Sequence, residues 1–185
     1  MAHARRLAAT LLLAVGLLGG AALAQGVLEI ATDTAPVGLD PHKVTAFSSF
    51  VVIGQIYDGL VEVDANLAVE PALADSWEVS EDGLSYVVQI RQGVQFHNGR
   101  TMTADDVVYS YERIVDPETA SPQASRFAVV ESAVATGEYE VTFTLAQPFA
   151  PFVSNLGNLY VVPQEAVEEF GDLQQNAVGT GPFML

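Results

Sequence analysis

Side chains able to take part in catalysis are few and scattered in this chain. Its histidines beyond residue 24 are His42 and His97, far apart in the sequence, and it has no cysteine to act as nucleophile or metal ligand. The adjacent carboxylates Asp105 and Asp106 begin a predicted helix, whose positive dipole end accounts for them. His97 precedes an Asn-Gly turn, where a side-chain hydrogen bond is the ordinary expectation. The sequence therefore predicts no enzyme, no metal site and no cofactor.

The N-terminal segment has the composition of an export signal. Arg5 and Arg6 precede the apolar run Leu7–Leu23, which closes on the small residues Ala22 and Ala24. This order predicts a secretory signal peptide over residues 1–24 and a periplasmic protein. A transmembrane anchor is the other interpretation, but the run contains three glycines and no basic stop-transfer segment follows it.

The charge of the chain excludes one class of partner. The formal net charge is −16, and loss of the two leader arginines changes it to −18. Such a surface repels phosphate backbones, so nucleic-acid binding is not expected. Attraction of cationic ligands and simple solubility of a secreted protein both remain open as reasons for the charge.

Hairpins separated by short helices are predicted along the chain. Asp82-Gly83 is a two-residue turn signal between alternating strands at residues 77–79 and 84–91. Thr103 and Asp106 predict a capping box for a helix that stops at Asp116-Pro117. Further strands are predicted at residues 28–31, 61–63, 127–135, 139–145 and 159–162, with helices at residues 47–60 and 164–170 and a short helix or turn at 148–155. The fold class indicated is α/β in the mixed α+β sense.

An ordered series of short motifs runs through most of the chain. In order they are Leu39-Asp40-Pro41, Pro71-Ala72-Leu73-Ala74, Ser76-Trp77, Asp82-Gly83-Leu84, Ile90-Arg91, Phe96-His97-Asn98-Gly99, Asp106-Val107-Val108-Tyr109-Ser110 and Val178-Gly179-Thr180-Gly181-Pro182-Phe183. The series resembles the N-terminal portion of family 5 extracellular solute-binding proteins, the periplasmic components of dipeptide, oligopeptide and nickel ABC importers. Asn98 replaces the aspartate more usual in its motif, a change that keeps the turn.

The resemblance implies a two-lobed type II periplasmic-binding-protein-like fold that closes on its ligand by hinge motion. It implies that residues 25–60 begin the large lobe, residues 61–178 form a hairpin-rich accessory subdomain, and residues 179–185 return toward the large-lobe sheet. Family members are much longer, so the chain is interpreted as a truncated or partial product in which the second lobe is absent. The expected partners are a peptide or other small ligand and an inner-membrane permease with its ATPase, and the protein is expected to be a monomer.

The loop after the first predicted strand is the expected ligand-binding segment, because such loops commonly line ligand crevices. Its candidate residues are Thr32, Asp33, Thr34 and Leu39, with Asp33 suited to hold a peptide ammonium group or, alternatively, to cap the loop. Peptides are the first-choice cargo, with nickel complexes, sugars or opines as alternatives. A self-contained secreted interaction module is the competing function, and a periplasmic hydrolase is a third hypothesis without a nucleophile motif to support it.

Overall fold

The computed structural model describes residue 31 and residues 33–185. The signal-peptide prediction and most of the strand predicted at residues 28–31 lie outside them. The helices are α1 (Phe47–Ile56), α2 (Ala104–Val115), α3 (Phe152–Asn155) and α4 (Gln164–Phe170), with single 3-10 turns at Ala124–Phe127 and Leu156–Asn158. The strands are β1 (Val61–Val63), β2 (Val69–Pro71), β3 (Ala74–Val79), β4 (Ser85–Ile90), β5 (Val130–Gly137) and β6 (Glu140–Leu145).

A four-stranded antiparallel sheet forms between residues 74 and 145. Its strand order is β3-β4-β6-β5, with Trp77 opposite Val88 and Tyr86 opposite Phe143. Alternate residues of β4 and β6 are buried, which places one face of the sheet in the core and leaves the other to solvent. The buried residues of these strands are Tyr86, Val88, Ile90, Val141, Phe143 and Leu145.

The turn between β3 and β4 follows its sequence signal. Gly83 adopts a φ of +70°, the left-handed conformation that favours glycine. The Asp82 Oδ1 atom accepts a hydrogen bond from the Leu84 backbone N–H at 3.0 Å, and a second from the Ser80 hydroxyl at 2.6 Å. The predicted hairpin is thus confirmed.

Helix α2 covers the buried face of the sheet. At its start the Thr103 backbone N–H donates to Asp106 Oδ2 at 2.9 Å, the contact expected of the predicted capping box. The buried residues Val107, Tyr111 and Ile114 lie on one side of the helix, and the Tyr111 ring meets Phe143 edge-on at 6.1 Å. The helix ends at Val115, before Asp116-Pro117, as predicted.

Four of the predicted boundaries are wrong. Residues 159–162 form no strand, because their polar groups bond other parts of the chain: the Val161 N–H donates to the Asp58 carbonyl and the Val162 N–H to the Ser110 hydroxyl. Helix α1 ends at Ile56, since Tyr57 is already extended. The start of the strand predicted at 127–135 is a 3-10 turn through Phe127, and the following hairpin turns at residues 138–139 instead of 136–138.

Two apolar clusters result from this arrangement. The larger lies between the sheet and α2. The smaller joins α1 to α4 and to the segments around Val162 and Leu173. The second cluster is the support on which the predicted ligand loop lies.

Candidate ligand-binding site

The predicted ligand loop lies on the surface, and three of its four candidate residues are described. Asp33 and Thr34 are exposed and Leu39 is half-buried, whereas Thr32 falls outside the described residues. Residues 33–37 are all exposed and form bends without regular structure. The structure thus leaves the side chains of Asp33 and Thr34 accessible to a ligand.

The backbone of the loop is held at two places. The Ser48 hydroxyl donates to the Ala35 carbonyl at 3.2 Å, and the Val37 N–H donates to Ser49 Oγ at 3.1 Å, which attaches the loop to α1. Further along, the Leu39 N–H donates to the carbonyl of Gln174 at 3.2 Å. The accessible part of the loop therefore lies beside the first turn of α1.

An apolar stripe of α1 is exposed next to the loop. Phe47 is 83% exposed and Val51, one turn later, is 45% exposed. Val37, in the loop itself, is 74% exposed, and its N–H bonds the same helix. Asp33 lies four residues before Val37 in the same exposed loop, so one short region offers a carboxylate and exposed apolar side chains, a combination suited to a ligand with an ammonium group and an apolar part.

A buried ionic cluster joins the segment after the loop to α2. Asp40 and His42 are fully buried, and the side chain of Arg113, from α2, is 6% exposed. Arg113 donates to both carboxylate oxygens of Asp40, at 3.0 and 2.6 Å, and to His42 Nδ1 at 2.8 Å. We call Asp40, His42 and Arg113 the latch.

Asp40 and His42 make further hydrogen bonds to the backbone. Asp40 accepts hydrogen bonds from the backbone N–H groups of His42, at 3.0 Å, and Leu173, at 3.1 Å. His42 Nε2 lies 2.9 Å from the carbonyl oxygen of Tyr160. Only the neutral ring with its proton on Nε2 donates to Tyr160 and accepts from Arg113, which fixes the tautomer.

The electrostatics of the latch follow from its burial. Burial alone would raise the pKa of Asp40, but the hydrogen bonds and charge of Arg113 hold that pKa below its ordinary value. Burial, followed by the positive charge of Arg113, lowers the pKa of His42 to about 4. The cluster therefore contains one ion pair and one neutral imidazole near pH 7.

The side chain of His97 bonds the C-terminal segment instead of its own turn. Its Nε2 donates to the carbonyl of Gly181 at 2.8 Å, and its Nδ1 accepts from the Gly179 N–H at 3.3 Å. A Cβ on Gly179 would lie 2.1 Å from the Ile56 carbonyl oxygen, so only glycine allows this segment to approach the end of α1. The predicted structural role of His97 is confirmed, with a different partner.

Asp106 is also structural. Besides capping α2, it pairs with Arg100, which in turn donates to Glu165 at 2.6 and 2.9 Å. Among the described residues no group of three or more His, Asp or Glu side chains is placed to hold a metal ion. Two surface clefts, of about 490 and 340 Å³, lie around Arg113 and Asp58 respectively, and residues 33–39 line neither of them.

The latch was missed by the sequence analysis. The sequence analysis gives Asp40 only as part of a motif and assigns no role to Arg113. A signal for the latch exists, because Arg113 adjoins Ile114, one of the apolar residues that recur at helical spacing along α2. A charged residue at such a position needs a buried partner.

Comparison with known proteins places this geometry in a family. Residues 68–185 match the model of the bacterial extracellular solute-binding proteins, family 5 (Middle). Di/tripeptide-binding protein 2 of Pseudomonas aeruginosa is 33% identical, over 85% of this chain and 35% of that protein. The chain thus spans about a third of the length of such relatives.

Solved structures agree with the sequence match. The ABC transporter-associated periplasmic binding protein DppA from Helicobacter pylori, in complex with peptide STSA, is 34% identical with a TM-score of 0.74, over 81% of this chain and 34% of that one. NikZ from Campylobacter jejuni, in complex with Ni(L-His), is 29% identical with a TM-score of 0.73, over 82% of this chain and 31% of that one.

These matches confirm the predicted fold class, a mixed α/β part of a two-lobed periplasmic-binding-protein fold. In the described part of the chain, no helix is long and apolar enough to cross a membrane. Sequence motifs, family model and fold agree: the chain belongs to the family 5 bacterial extracellular solute-binding proteins.

Proposed function

We propose that this chain supplies one side of the ligand site of a periplasmic binding protein that captures peptides for an ABC importer. The observation that carries the proposal is the exposed loop of Asp33 and Val37, whose backbone bonds Ser48 and Ser49 next in sequence to the exposed Phe47. In this proposal, Asp33 binds the peptide ammonium group, Thr32 and Thr34 contribute polar contacts, and Leu39 supports the loop. The peptide and metal-complex ligands named for the similar structures make peptides the first cargo class to test.

The proposed division of the chain follows its hydrogen bonds. Residues 25–60 begin the large lobe and residues 61–178 form the accessory subdomain. Support comes from the C-terminal segment, because the Gly181 and Phe183 N–H groups donate to the carbonyls of Ile56 and Gln55, at 2.9 and 3.1 Å. Residues 179–185 thus rejoin α1, as a return to the large lobe requires.

The rest of the ligand site belongs, in this proposal, to a second lobe outside these 185 residues. Closure of two lobes stabilises a complex only when the ligand contacts both. One lobe alone is therefore expected to bind peptides weakly. Export by residues 1–24, delivery to a permease with its ATPase and a monomeric state complete the proposal.

Asp33→Asn tests the role of the carboxylate. Binding of trialanine to the purified chain is measured by equilibrium dialysis, and Asp33→Asn is expected to weaken it about tenfold, because a charged hydrogen bond is lost. Glu131→Gln, which removes an exposed charge on β5, is the matched control and leaves the affinity unchanged. Equal affinities in all three proteins would contradict the assignment of Asp33.

The competing function is a secreted interaction module that uses the fold without transport. Its supporting observation is the exposed apolar stripe of Phe47 and Val51, which suits a protein partner as well as a peptide. A monomer that binds trialanine favours capture for import. A chain that binds no small ligand, yet forms a defined complex through Phe47, favours the module.

A further inference from the structure

The ligand loop is attached to the rest of the chain by single neutral hydrogen bonds. Residues 33–37 are exposed, and part-buried hydrogen bonds join Val37 to the buried Ser49 and Asp40 to Gln174. Single bonds at partly buried positions open at smaller free-energy cost than buried ionic contacts. The strongest restraint on the loop is therefore expected where the chain becomes buried, at Asp40 and His42.

The latch joins four separate parts of the chain at that point. Asp40 and His42 follow the loop, Arg113 comes from α2, and the backbone groups of Tyr160 and Leu173 belong to two later segments. Asp40 accepts four hydrogen bonds, two of them from the planar guanidinium group of Arg113. A two-point contact of this kind fixes orientation as well as distance.

We propose that Arg113 is a positioning residue for the ligand loop, acting through Asp40 and His42 and without touching the ligand. The proposal rests on the proposed function only in naming that loop as the ligand loop. The latch holds residues 33–43 in one place on the subdomain, and its opening releases them while the sheet and α2 stay folded.

The latch is built to open in acid. Protonation of His42 removes the acceptor at Nδ1 and places a second cation against Arg113, at the 2.8 Å contact. The charged groups facing His42 are Arg113 from α2 and Asp40 from its own segment. The phenols of Tyr57 and Tyr109 face Arg113, and the pair formed by Lys43 and Asp172 lies outside the latch, with N and O 4.0 Å apart.

Hydrogen exchange of the whole chain tests the latch without any ligand. In Arg113→Met, exchange at the backbone amides within residues 37–42 and at Leu173 is expected to accelerate at least about tenfold and to stay faster than exchange at the amides between β4 and β6, which follows global unfolding. Arg91→Met removes the exposed pair with Asp75 (2.8 Å) and serves as the control, with unaltered exchange at residues 37–42. Unaltered exchange at those residues in Arg113→Met would overturn the proposal.

A second variant keeps the test decisive if Arg113→Met fails to fold. His42→Gln retains one donor and one acceptor but does not titrate. In the unaltered chain, exchange at residues 37–42, corrected for its intrinsic pH dependence, is expected to rise as the pH falls from 6.5 toward 4, and His42→Gln abolishes that rise. A rise that persists in His42→Gln would contradict the role of His42.

Trialanine affinity separates this proposal from the proposed function. If the latch variants release the loop and weaken trialanine binding, both proposals stand. Release of the loop with unchanged binding supports the latch and refutes the loop as the ligand site. Weaker binding without release of the loop refutes the latch alone.

Discussion

Two arginines of α2 and its neighbouring turn make similar ion pairs in different surroundings. Arg113 pairs with Asp40, and both side chains are almost completely buried. Arg100 pairs with Asp106 and Glu165, but its side chain is 37% exposed and that of Glu165 is 44% exposed. Arg100 also lies over the ring of Phe96, 5.0 Å from its centroid.

The two ion-pair clusters differ in their effect on the structure. The Arg100 cluster joins the turn at residues 96–101 to the starts of α2 and α4, and water can reach Arg100 and Glu165, whereas Asp106 is 6% exposed. The latch exchanges its contacts for water less readily, because Asp40 has no exposed surface and removal of Arg113 would leave its charge buried. A buried pair thus determines the position of a segment, whereas an exposed pair mainly adds to stability.

The largest predicted effect is that of Arg113→Met on stability. This change leaves Asp40 buried without its counter-ion and is expected to lower the free energy of unfolding by about 3–5 kcal/mol. Urea denaturation followed by far-ultraviolet circular dichroism measures it. The double variant Asp40→Asn/Arg113→Met is expected to recover part of the lost stability. If Arg113→Met is as stable as the unaltered chain, the proposed difference between Arg113 and Arg100 is wrong.

The latch, which contains His42, is expected to lose stability in acid. The pKa of His42 is lowered from 6.5 to about 4 in the folded chain, so the unfolded chain binds the proton more tightly. Stability is therefore fully present above pH 6.5 and is lost as the pH falls toward 4, by roughly 3 kcal/mol for this group. The free energy of unfolding is measured for the unaltered chain and for His42→Gln across this pH range, and the difference between the two isolates the contribution of His42 from that of other titrating groups. A difference that does not change with pH would contradict the assignment to His42.

The smallest predicted effect is that of Arg100→Met. Asp106 keeps its bond from the Thr103 N–H, and Glu165 is solvated, so a loss of about 1 kcal/mol or less is expected. The same urea titration measures it beside Arg113→Met. A loss of stability as large as that of Arg113→Met would show that the exposure of the arginine side chain does not determine the loss.

Local signals in the sequence predicted much of the sheet and α2. The turn at Asp82-Gly83, the capping box of Thr103 and Asp106 and the stop at Asp116-Pro117 each depend on residues close in sequence. The strand predicted at residues 159–162 is wrong for the opposite reason. Its apolar run is buried, but its backbone bonds Asp58 and Ser110, which are distant in sequence.

The ligand loop stays a prediction, and the latch next to it was not predicted. The ordered motifs of the chain, which include Leu39-Asp40-Pro41, resemble those of the family. The loop that precedes this motif is the segment expected to line the ligand crevice. The contact from Arg113 to Asp40 spans 73 residues, and no local pattern encodes such a distance. Charged residues beside a predicted apolar stripe are the available sign of such contacts.

The most direct test of the account is a nuclear magnetic resonance titration of the isotope-labelled chain with trialanine, because it locates even weak binding. We predict that shifted amide signals are confined to residues 33–39 and the first turn of α1, with smaller shifts at His42 and Arg113. Shifts centred on the cleft around Asp58 or on the open face of the sheet, or no shifts at millimolar peptide, would contradict it.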